Sequence, residues 1–576
     1  MARGSVSQMT TGKVKRAQVS CLTTMGKISR RAFLRQAGLA AGAGALSRGS
    51  WAHAMREHGR TKLATDPRRP QYHLLPAANW MNDPNGPIFY KDRYHMFFQY
   101  NPNGAFWGTM HWAHAISSDM IHWQHEPIAL APTPGGYDRD GVFSGSAVLD
   151  GNTPNLIYTG VLPPASPSEI TLDDGQHQWR EVQCLATSTD PDLRSWRKLP
   201  EPVIARPPQH LSVTGFRDPG VWREGREWLL TLGSGIPGKG GAILLYESHD
   251  LRHWTYRHLL IEGHASGKSA ANPVDTGDMW ECPDFFPLGN RHVLMISTMG
   301  KVFWKTGRYH DRRFTAEKEG VVDFGSYYAA KTMLDERENR ILWGWIPETR
   351  PEAEYRAAGW AGAMALPRTL SLDRDGGLRI SPAPAVEVLR AHHSQVNGGD
   401  RNRDKALASI RIRDQAGEIQ ARFAANRGFL LRLRAEKGET FAEIAYDPHN
   451  KDAELRVNGT AASFATNEAV TLRVFLDGSV LEVFANEKVV ITARVYTVPS
   501  TPLLVDVSDP TTLESLDVWQ MRPISQDRLT GGTGALARPG LDQWSSRNCP
   551  RALSENERAR RRAGDARRSI DGTSSV

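Results

Sequence analysis

The sequence predicts an all-β chain: a five-bladed β-propeller followed by a C-terminal β-sandwich. Three observations predict it. The apolar runs between Tyr72 and about Leu372 are short, strand-like and bounded by turn residues, as in Tyr94–Tyr100, Ala242–Tyr246 and His292–Ile296. No long stretch has a 3.6-residue apolar period. A small pattern, Asp-apolar-x-x-Trp, also recurs after strand-like runs at Asp119–Trp123, Asp192–Trp196 and Asp250–Trp254.

The tryptophans of that pattern are 73 and 58 residues apart, and a degenerate copy, His310–Phe314, ends 60 residues after Trp254. About 60 residues suffice for a four-stranded antiparallel sheet with its loops, and such sheets around an axis make a propeller. The segment 72–380 then holds about five blades. After a linker at 381–394, marked by Ser381-Pro382-Ala383-Pro384, strand patterns resume over 395–522. Glu418–Phe423, Phe429–Leu433, Leu472–Phe475, Val480–Phe484 and Val489–Val495 have Gly, Asp and Asn between them, the signature of a sandwich.

The composition agrees with a soluble globular body. It is 40% hydrophobic and 23% charged, which excludes a wholly disordered, collagen-like or polytopic membrane chain. The four cysteines, Cys21, Cys184, Cys282 and Cys549, have no paired zinc-ligand spacing. No metal cluster and no nucleotide-binding loop is legible, so neither metal nor cofactor is expected. The net charge of +8 hides an asymmetry: residues 1–70 carry +12, residues 521–576 carry +5, and the stretch between them carries −9. The basicity therefore belongs to the tails. A nucleic-acid footprint needs a basic patch on the folded domain, and the mildly acidic body offers none.

Both ends read as non-domain segments. Ser29-Arg30-Arg31-Ala32-Phe33-Leu34-Arg35 resembles a twin-arginine export signal, followed by a weakly apolar run from Gln36 to Leu46 and a small-x-small site, Ala52-His53-Ala54. The run is too short and too interrupted by glycine to span a bilayer. Residues 1–54 are thus expected to be a signal peptide read by the twin-arginine machinery, with Met1 and Met25 both open as the start. The expected location is periplasmic or extracellular, with no membrane anchor after cleavage. Cleavage after Ala54 removes nine basic residues and no acidic one. Residues 55–71 are expected to be a linker. Residues 523–576, rich in glycine and then arginine without apolar periodicity, are expected to be a disordered basic tail.

Three carboxylates sit in unusual local settings. Asp83 lies in Asn79-Trp80-Met81-Asn82-Asp83-Pro84-Asn85-Gly86, Asp218 in Phe216-Arg217-Asp218-Pro219, and Glu281 in Met279-Trp280-Glu281-Cys282-Pro283-Asp284. A proline or an aromatic ring beside each one restricts the local backbone. Spacings of 135 and 63 residues place them on different blades, whose strands converge at one end of the central channel. Glycoside hydrolysis needs two carboxyls across one bond, and aromatic neighbours both face the sugar ring and raise one carboxyl pKa by desolvation. Each acid taken alone is an ordinary turn residue, since Asp-Pro and Asn-Gly are turn signals. The residues by themselves establish an all-β protein with a candidate acidic site.

Together these motifs resemble glycoside hydrolase family 32, the β-fructosidases that include invertase, inulinase, levanase and fructan exohydrolase. The resemblance spans about residues 72–520. Phe143-Ser144-Gly145-Ser146, Tyr327–Thr332, Ile341–Trp345, Arg473–Ser479 and Leu481–Phe484 add to it. It implies a retaining exo-β-fructofuranosidase acting on terminal β-D-fructofuranosyl residues of sucrose, levan or inulin. It further implies Asp83 as nucleophile, Glu281 as general acid and then base, and Asp218 as the group that holds fructose hydroxyls. Arg217 would position that site. Asn82, Gln99, Trp107, Phe143, Ser144 and Trp343 fall at positions that line the fructose pocket in the family. Cys282 is expected to pack or to tune a pKa, not to act as a nucleophile. Plant invertases that favour sucrose carry an Asp where this chain reads Thr298-Met299-Gly300-Lys301, which argues against a sucrose specialist. Two alternatives remain at this stage: fructosyl transfer on the same scaffold, and a carbohydrate-binding protein without catalysis. The intact acid trio argues against the second.

The export expectation yields a prediction. Arg30→Lys combined with Arg31→Lys should leave precursor in the cytoplasm, because a receptor reads the arginine pair. Fractionation followed by immunoblotting checks it; undiminished export of the double variant would remove the signal assignment.

Overall fold

The computed structural model describes residues 62–173, 177–264, 277, 279–450 and 453–525. The signal-like stretch and most of the basic tail lie outside the described residues. The described residues from Leu63 to Ser525 form one compact unit. Five antiparallel sheets come first, each built by a strand meander. Their innermost strands are Asn79–Tyr90, Gly141–Asp150, Phe216–Glu224, Glu281–Leu288 and Tyr328–Leu334. These five pack against one another in cyclic order, first against second and so on, with the fifth returning to the first. The sheets are therefore the blades of a closed five-bladed propeller.

Apolar layers between neighbouring blades hold the ring. Phe97, Trp112 and Leu130 of blade 1 meet Val142, Leu156 and Val182 of blade 2. Val148, Ile157 and Leu185 meet Phe216, Trp228 and Leu230 of blade 3. Leu229, Ile243 and Leu245 meet Phe285, Leu294 and Ile296 of blade 4. The middle strands are thus covered on both faces, which explains why they read as continuous apolar runs rather than alternating ones. Blade 5 also lends a strand across the closure: Trp360–Ala361 runs parallel to Asn79–Trp80 at the edge of blade 1. Gly362 follows at φ +80°, and a Cβ there would sit 2.2 Å from the Met81 carbonyl oxygen, so this crossing admits only glycine.

The recurring Asp-apolar-x-x-Trp pattern is the turn between the third and fourth strands of blades 1, 2 and 3. The degenerate copy occupies the same turn of blade 4. In blades 1 and 3 the Asp carboxylate accepts two backbone N–H groups of the turn, Ile121 and His122 for Asp119, and Arg252 and His253 for Asp250. The apolar residue after each Asp takes positive φ, at Met120, Leu193 and Leu251. In blades 2 and 3 the Trp indole N–H closes the turn on a leucine carbonyl, Leu193 and Leu251.

The second part is a two-sheet sandwich. One sheet has six strands, in spatial order Arg390–Asn397, Leu513–Met521, Ala416–Phe423, Val470–Asp477, Val480–Ala485 and Val489–Arg494. The other has five, in spatial order Thr460–Ser463, Glu454–Val457, Thr440–Asp447, Phe429–Ala435 and Leu503–Val507. Leu472, Val474, Leu476, Leu481 and Val483 face the five-stranded sheet. Phe475, Val480, Phe484 and Val490 face the other way, onto blades 4 and 5. The six-stranded sheet is thus the sandwich's contact with the propeller.

Three expected boundaries change. The described part of the 55–71 linker is not loose, because Gln71, like Tyr72 and His73 just after it, donates its backbone N–H to the Asp477 carboxylate. A buried acid accepting three amides pins the chain there. The 381–394 linker is instead a 3-10 helix, Pro384–Leu389, with Val386 and Leu389 buried, and the first sandwich strand already begins at Arg390. Finally, Ile524 still donates to the Gln71 carbonyl, so the body extends past 522.

Between propeller and sandwich lies a buried ionic cluster. The Arg368 guanidinium, fully buried, donates to Asp323 at 2.9 Å and to Glu482 at 2.6 Å, and lies over the Tyr327 ring. His73 bridges Asp477 at 2.7 Å and Glu482 at 2.9 Å. Burial would lower its pKa, but the two carboxylates win and raise it from its ordinary 6.5 to about 9. A raised imidazolium pKa gives stabilisation that is complete below about 6.5 and disappears as pH rises through about 9. His73→Gln should therefore cost stability on the order of 2–3 kcal/mol at pH 6 and much less at pH 10. Urea unfolding of both proteins at the two pH values measures the difference; equal losses at both would show that His73 is neutral in the fold.

Candidate active site

Every innermost strand carries the same irregularity at its axial end. Pairing with the second strand slips between Met81 and Pro84, Phe143 and Gly145, Arg217 and Gly220, Glu281 and Asp284, and Tyr328 and Lys331. Each slip inserts one extra residue in the inner strand, a β-bulge, which twists the strand and re-aims the side chains beside it. Three of the inserted stretches also hold a non-glycine residue at positive φ: Asp218 at 64°, Cys282 at 49° and Ala329 at 54°. Backbone of this kind is disfavoured and persists where the surroundings over-determine it. The bulges of blades 1, 3 and 4 supply Asp83, Asp218 and Glu281.

These three carboxyls line one funnel of about 660 Å³ including its open mouth, with Asn82, Gln99, Trp107, Phe143, Ser144, Leu172, Trp179, Arg217, Cys282, Tyr328 and Trp345. Of the ten residues singled out from sequence, nine line this funnel. Trp343 does not. It is fully buried among Met81, Phe98 and Trp123, while Trp345 reaches the funnel. The two share a face of the strand Arg340–Ile346 but differ by two residues, about 6.6 Å along it. Trp345 pairs with Tyr328 at the axial end and Trp343 with Lys331 beyond the bulge, so Trp345 lines the funnel and Trp343 does not.

Asp83 is held from two sides. Asn82 donates to Oδ1 at 3.1 Å, and Ser144 donates to Oδ2 at 2.5 Å. The Trp80 indole N–H fixes the Asn82 amide through its oxygen, and Gln99 donates to the Ser144 oxygen. Burial pushes the Asp83 pKa up, the two hydrogen bonds oppose it, and the Glu281 charge adds to it. Asp218 accepts the Cys282 backbone N–H at 2.9 Å and its thiol at 3.4 Å. Burial pushes Asp218 up to about 7, against Arg217 and with Glu281 and Asp83 adding. The same thiol reaches Asp83 Oδ2 at 3.6 Å. Burial and then the two aspartates hold the Cys282 thiol far above its usual range, so it stays protonated and is no nucleophile.

Glu281 sits across from them. Arg217 donates twice to Oε1, at 3.1 and 2.8 Å, and the Tyr328 hydroxyl donates to Oε2 at 2.6 Å. Arg217 is itself held by Glu181, fully buried, at 2.9 Å. Glu181 also accepts the Phe216 backbone N–H at 2.7 Å, tying the guanidinium to the strand that carries Asp218.

Reasoning from sequence missed Glu181, Leu172, Trp179, Tyr328 and Trp345 as site residues. Tyr328 and Trp345 had a signal, since both lie within motifs already noted, Tyr327–Thr332 and Ile341–Trp345. Leu172, Trp179 and Glu181 had none. They come from or beside the third strand of blade 2, where an acid or a Trp between strand residues looks like any other.

Comparison with known proteins agrees with this architecture. The family model described as "Glycosyl hydrolases family 32 N-terminal domain" matches residues 73–382, and "Glycosyl hydrolases family 32 C terminal" matches residues 385–520. The chain is 36% identical over 463 residues to a sucrose-6-phosphate hydrolase of Escherichia coli, covering 75% of this chain and 90% of that one. It is 36% identical over 458 residues to a raffinose invertase of Escherichia coli, covering 74% and 89%. Among solved structures it resembles a GH32 β-fructofuranosidase of Bombyx mori, with a TM-score of 0.67 and 27% identity over 83% of this chain and 99% of the other. With both family domains matched in order across the propeller and the sandwich, the chain belongs to glycoside hydrolase family 32.

Proposed function

We propose that this protein is a retaining exo-β-fructofuranosidase that hydrolyses terminal β-D-fructofuranosyl residues of sucrose or fructans. The observation that carries the reading is the meeting of Asp83, Asp218 and Glu281, from three separate blades, in one funnel. Relatives named for hydrolysis of sucrose 6-phosphate and for raffinose support the substrate class.

The geometry divides the chemistry among the acids. Asp83, fixed by Asn82 and Ser144, presents an oxygen to the anomeric carbon and forms the glycosyl ester. Glu281 protonates the leaving oxygen. Arg217 holds its Oε1 and the Tyr328 hydroxyl its Oε2, which fixes the carboxyl in the funnel. After the leaving group departs, the same carboxylate takes a proton from water, which then attacks the ester. Asp218, anchored through the Cys282 amide, holds sugar hydroxyls and its charge offsets the oxocarbenium-like transition state. We also infer export by the twin-arginine route, on the motif at Ser29–Arg35.

Two outcomes test this reading. Asp83→Asn should fold normally and lose about 10⁴-fold in kcat, on the order of 5 kcal/mol of transition-state stabilisation. The wild-type enzyme should release fructose first as the β-anomer, visible by NMR before mutarotation. Near-native turnover by the variant, or an initial α-anomer, would overturn the assigned mechanism.

Asp218 separates stability from activity. Its folded pKa of about 7 lies above its ordinary 3.8, so ionisation penalises the folded state. The penalty is absent below about 3.8 and complete above about 7. Asp218→Asn should therefore raise stability on the order of 2 kcal/mol at pH 8, leave it unchanged at pH 3.5, and lower kcat by about 10²–10³-fold. Thermal unfolding at both pH values checks the first part and steady-state kinetics the second.

A further inference from the structure

Two of the relatives differ in the charge of what their names say they cleave, one a phosphorylated disaccharide and one a neutral sugar. This funnel carries its own answer. Its floor holds three carboxyls, with Glu181 directly behind. Among the described lining residues the one cation is Arg217, and its N–H groups already point at Glu281 and Glu181. Outward of the floor the wall is apolar and aromatic. Trp107 is 42% exposed, with its ring 5.8 Å from Trp179 and 6.1 Å from Phe143, and Leu172 beside them. His177 stacks on Trp179 with ring centroids 4.7 Å apart.

We propose that this site selects a substrate whose leaving sugar is neutral and rejects the 6-phosphate of the same disaccharide, by charge rather than by shape. The inference rests on the β-fructofuranosidase reading above. With the fructosyl unit on the carboxyl floor, the leaving sugar lies against the Trp107–Trp179 wall. Aromatic faces suit the C–H surfaces of an uncharged hexose. A phosphate monoester carries nearly two negative charges at pH 7, and its recognition needs a guanidinium or ammonium group free to donate to it. In this half-enclosed funnel the dianion instead meets an acidic floor at reduced dielectric.

A second consequence follows from the same charges. The Asp83 and Asp218 carboxyls already have raised pKa values, through burial above all. A bound dianion raises them further. Any residual turnover of the phosphorylated sugar should then show its acidic limb at higher pH than turnover of sucrose.

The test compares sucrose with sucrose 6-phosphate on the purified full chain, at 20 and 500 mM NaCl and across pH. The expected kcat/KM ratio favours sucrose by roughly 10²-fold at low salt and narrows at high salt, because mobile ions screen the repulsion. Equal or better use of the phosphate overturns the inference. A ratio indifferent to salt overturns its electrostatic basis. Calorimetric binding of both sugars to Asp83→Asn keeps the two readings apart. A variant that binds sucrose in preference to its phosphate, when the wild-type chain cleaves neither, refutes the hydrolase reading and upholds the selectivity. One that binds the phosphate as tightly refutes the selectivity.

Discussion

One extra residue at the axial end of each innermost strand is the constraint on which the site depends. A regular strand alternates its side chains between two faces, and in a propeller blade both faces are taken by neighbouring blades. Breaking that alternation turns inner-strand side chains toward the axis. The bulge does this five times, at Asn82–Asp83, Ser144, Asp218, Cys282 and Ala329. The pseudo-symmetric positions then diverge in chemistry. Two hold the aspartates, one the hydroxyl that donates to Asp83, one the thiol that touches both aspartates, and one a small residue. Catalytic asymmetry is thus laid on a nearly symmetric backbone device.

Gathering carboxyls at one point opposes folding, and the surroundings show how the opposition is contained. Arg217 is the counter-charge, but it is shared with Glu181, so the funnel keeps a negative balance. Cys282 gives Asp218 a backbone amide while its thiol stays neutral between the two aspartates. The raised pKa values of Asp83 and Asp218 record what the hydrogen bonds do not compensate. The price of the site is accordingly local, and the closed ring of inter-blade apolar layers supports it.

The sandwich contributes none of the three acids, yet it is not a detachable appendage. The strands Val480–Ala485 and Val489–Arg494 of its six-stranded sheet are buried on both faces, and the cluster of Arg368, Asp323, Glu482, His73 and Asp477 ties the chain entering blade 1 to blades 4 and 5. Buried ion pairs specify one docking geometry more than they add net stability, since removing either partner leaves an uncompensated charge.

The sequence by itself determined the strands, the repeat and the acids. Short apolar runs between turn residues report burial of a pleated segment, and the Asp-apolar-x-x-Trp turn recurs because one local hydrogen-bond pattern closes the outer hairpin of successive blades. Proline and aromatic residues beside Asp83, Asp218 and Glu281 mark the bulges, since a bulge is a local backbone event written in local residues. What only the tertiary structure decided was which side chains from different blades meet. Trp343 and Trp345 are alike in type and share a strand face, and their distance from the axis alone sends one to the core and the other to the funnel. Glu181 and Trp179 carry no local mark, because their roles arise from neighbours dozens of residues away. The same holds for the 55–71 linker: Gln71 at its end looks unstructured until Asp477, some four hundred residues later, supplies the carboxylate that binds it.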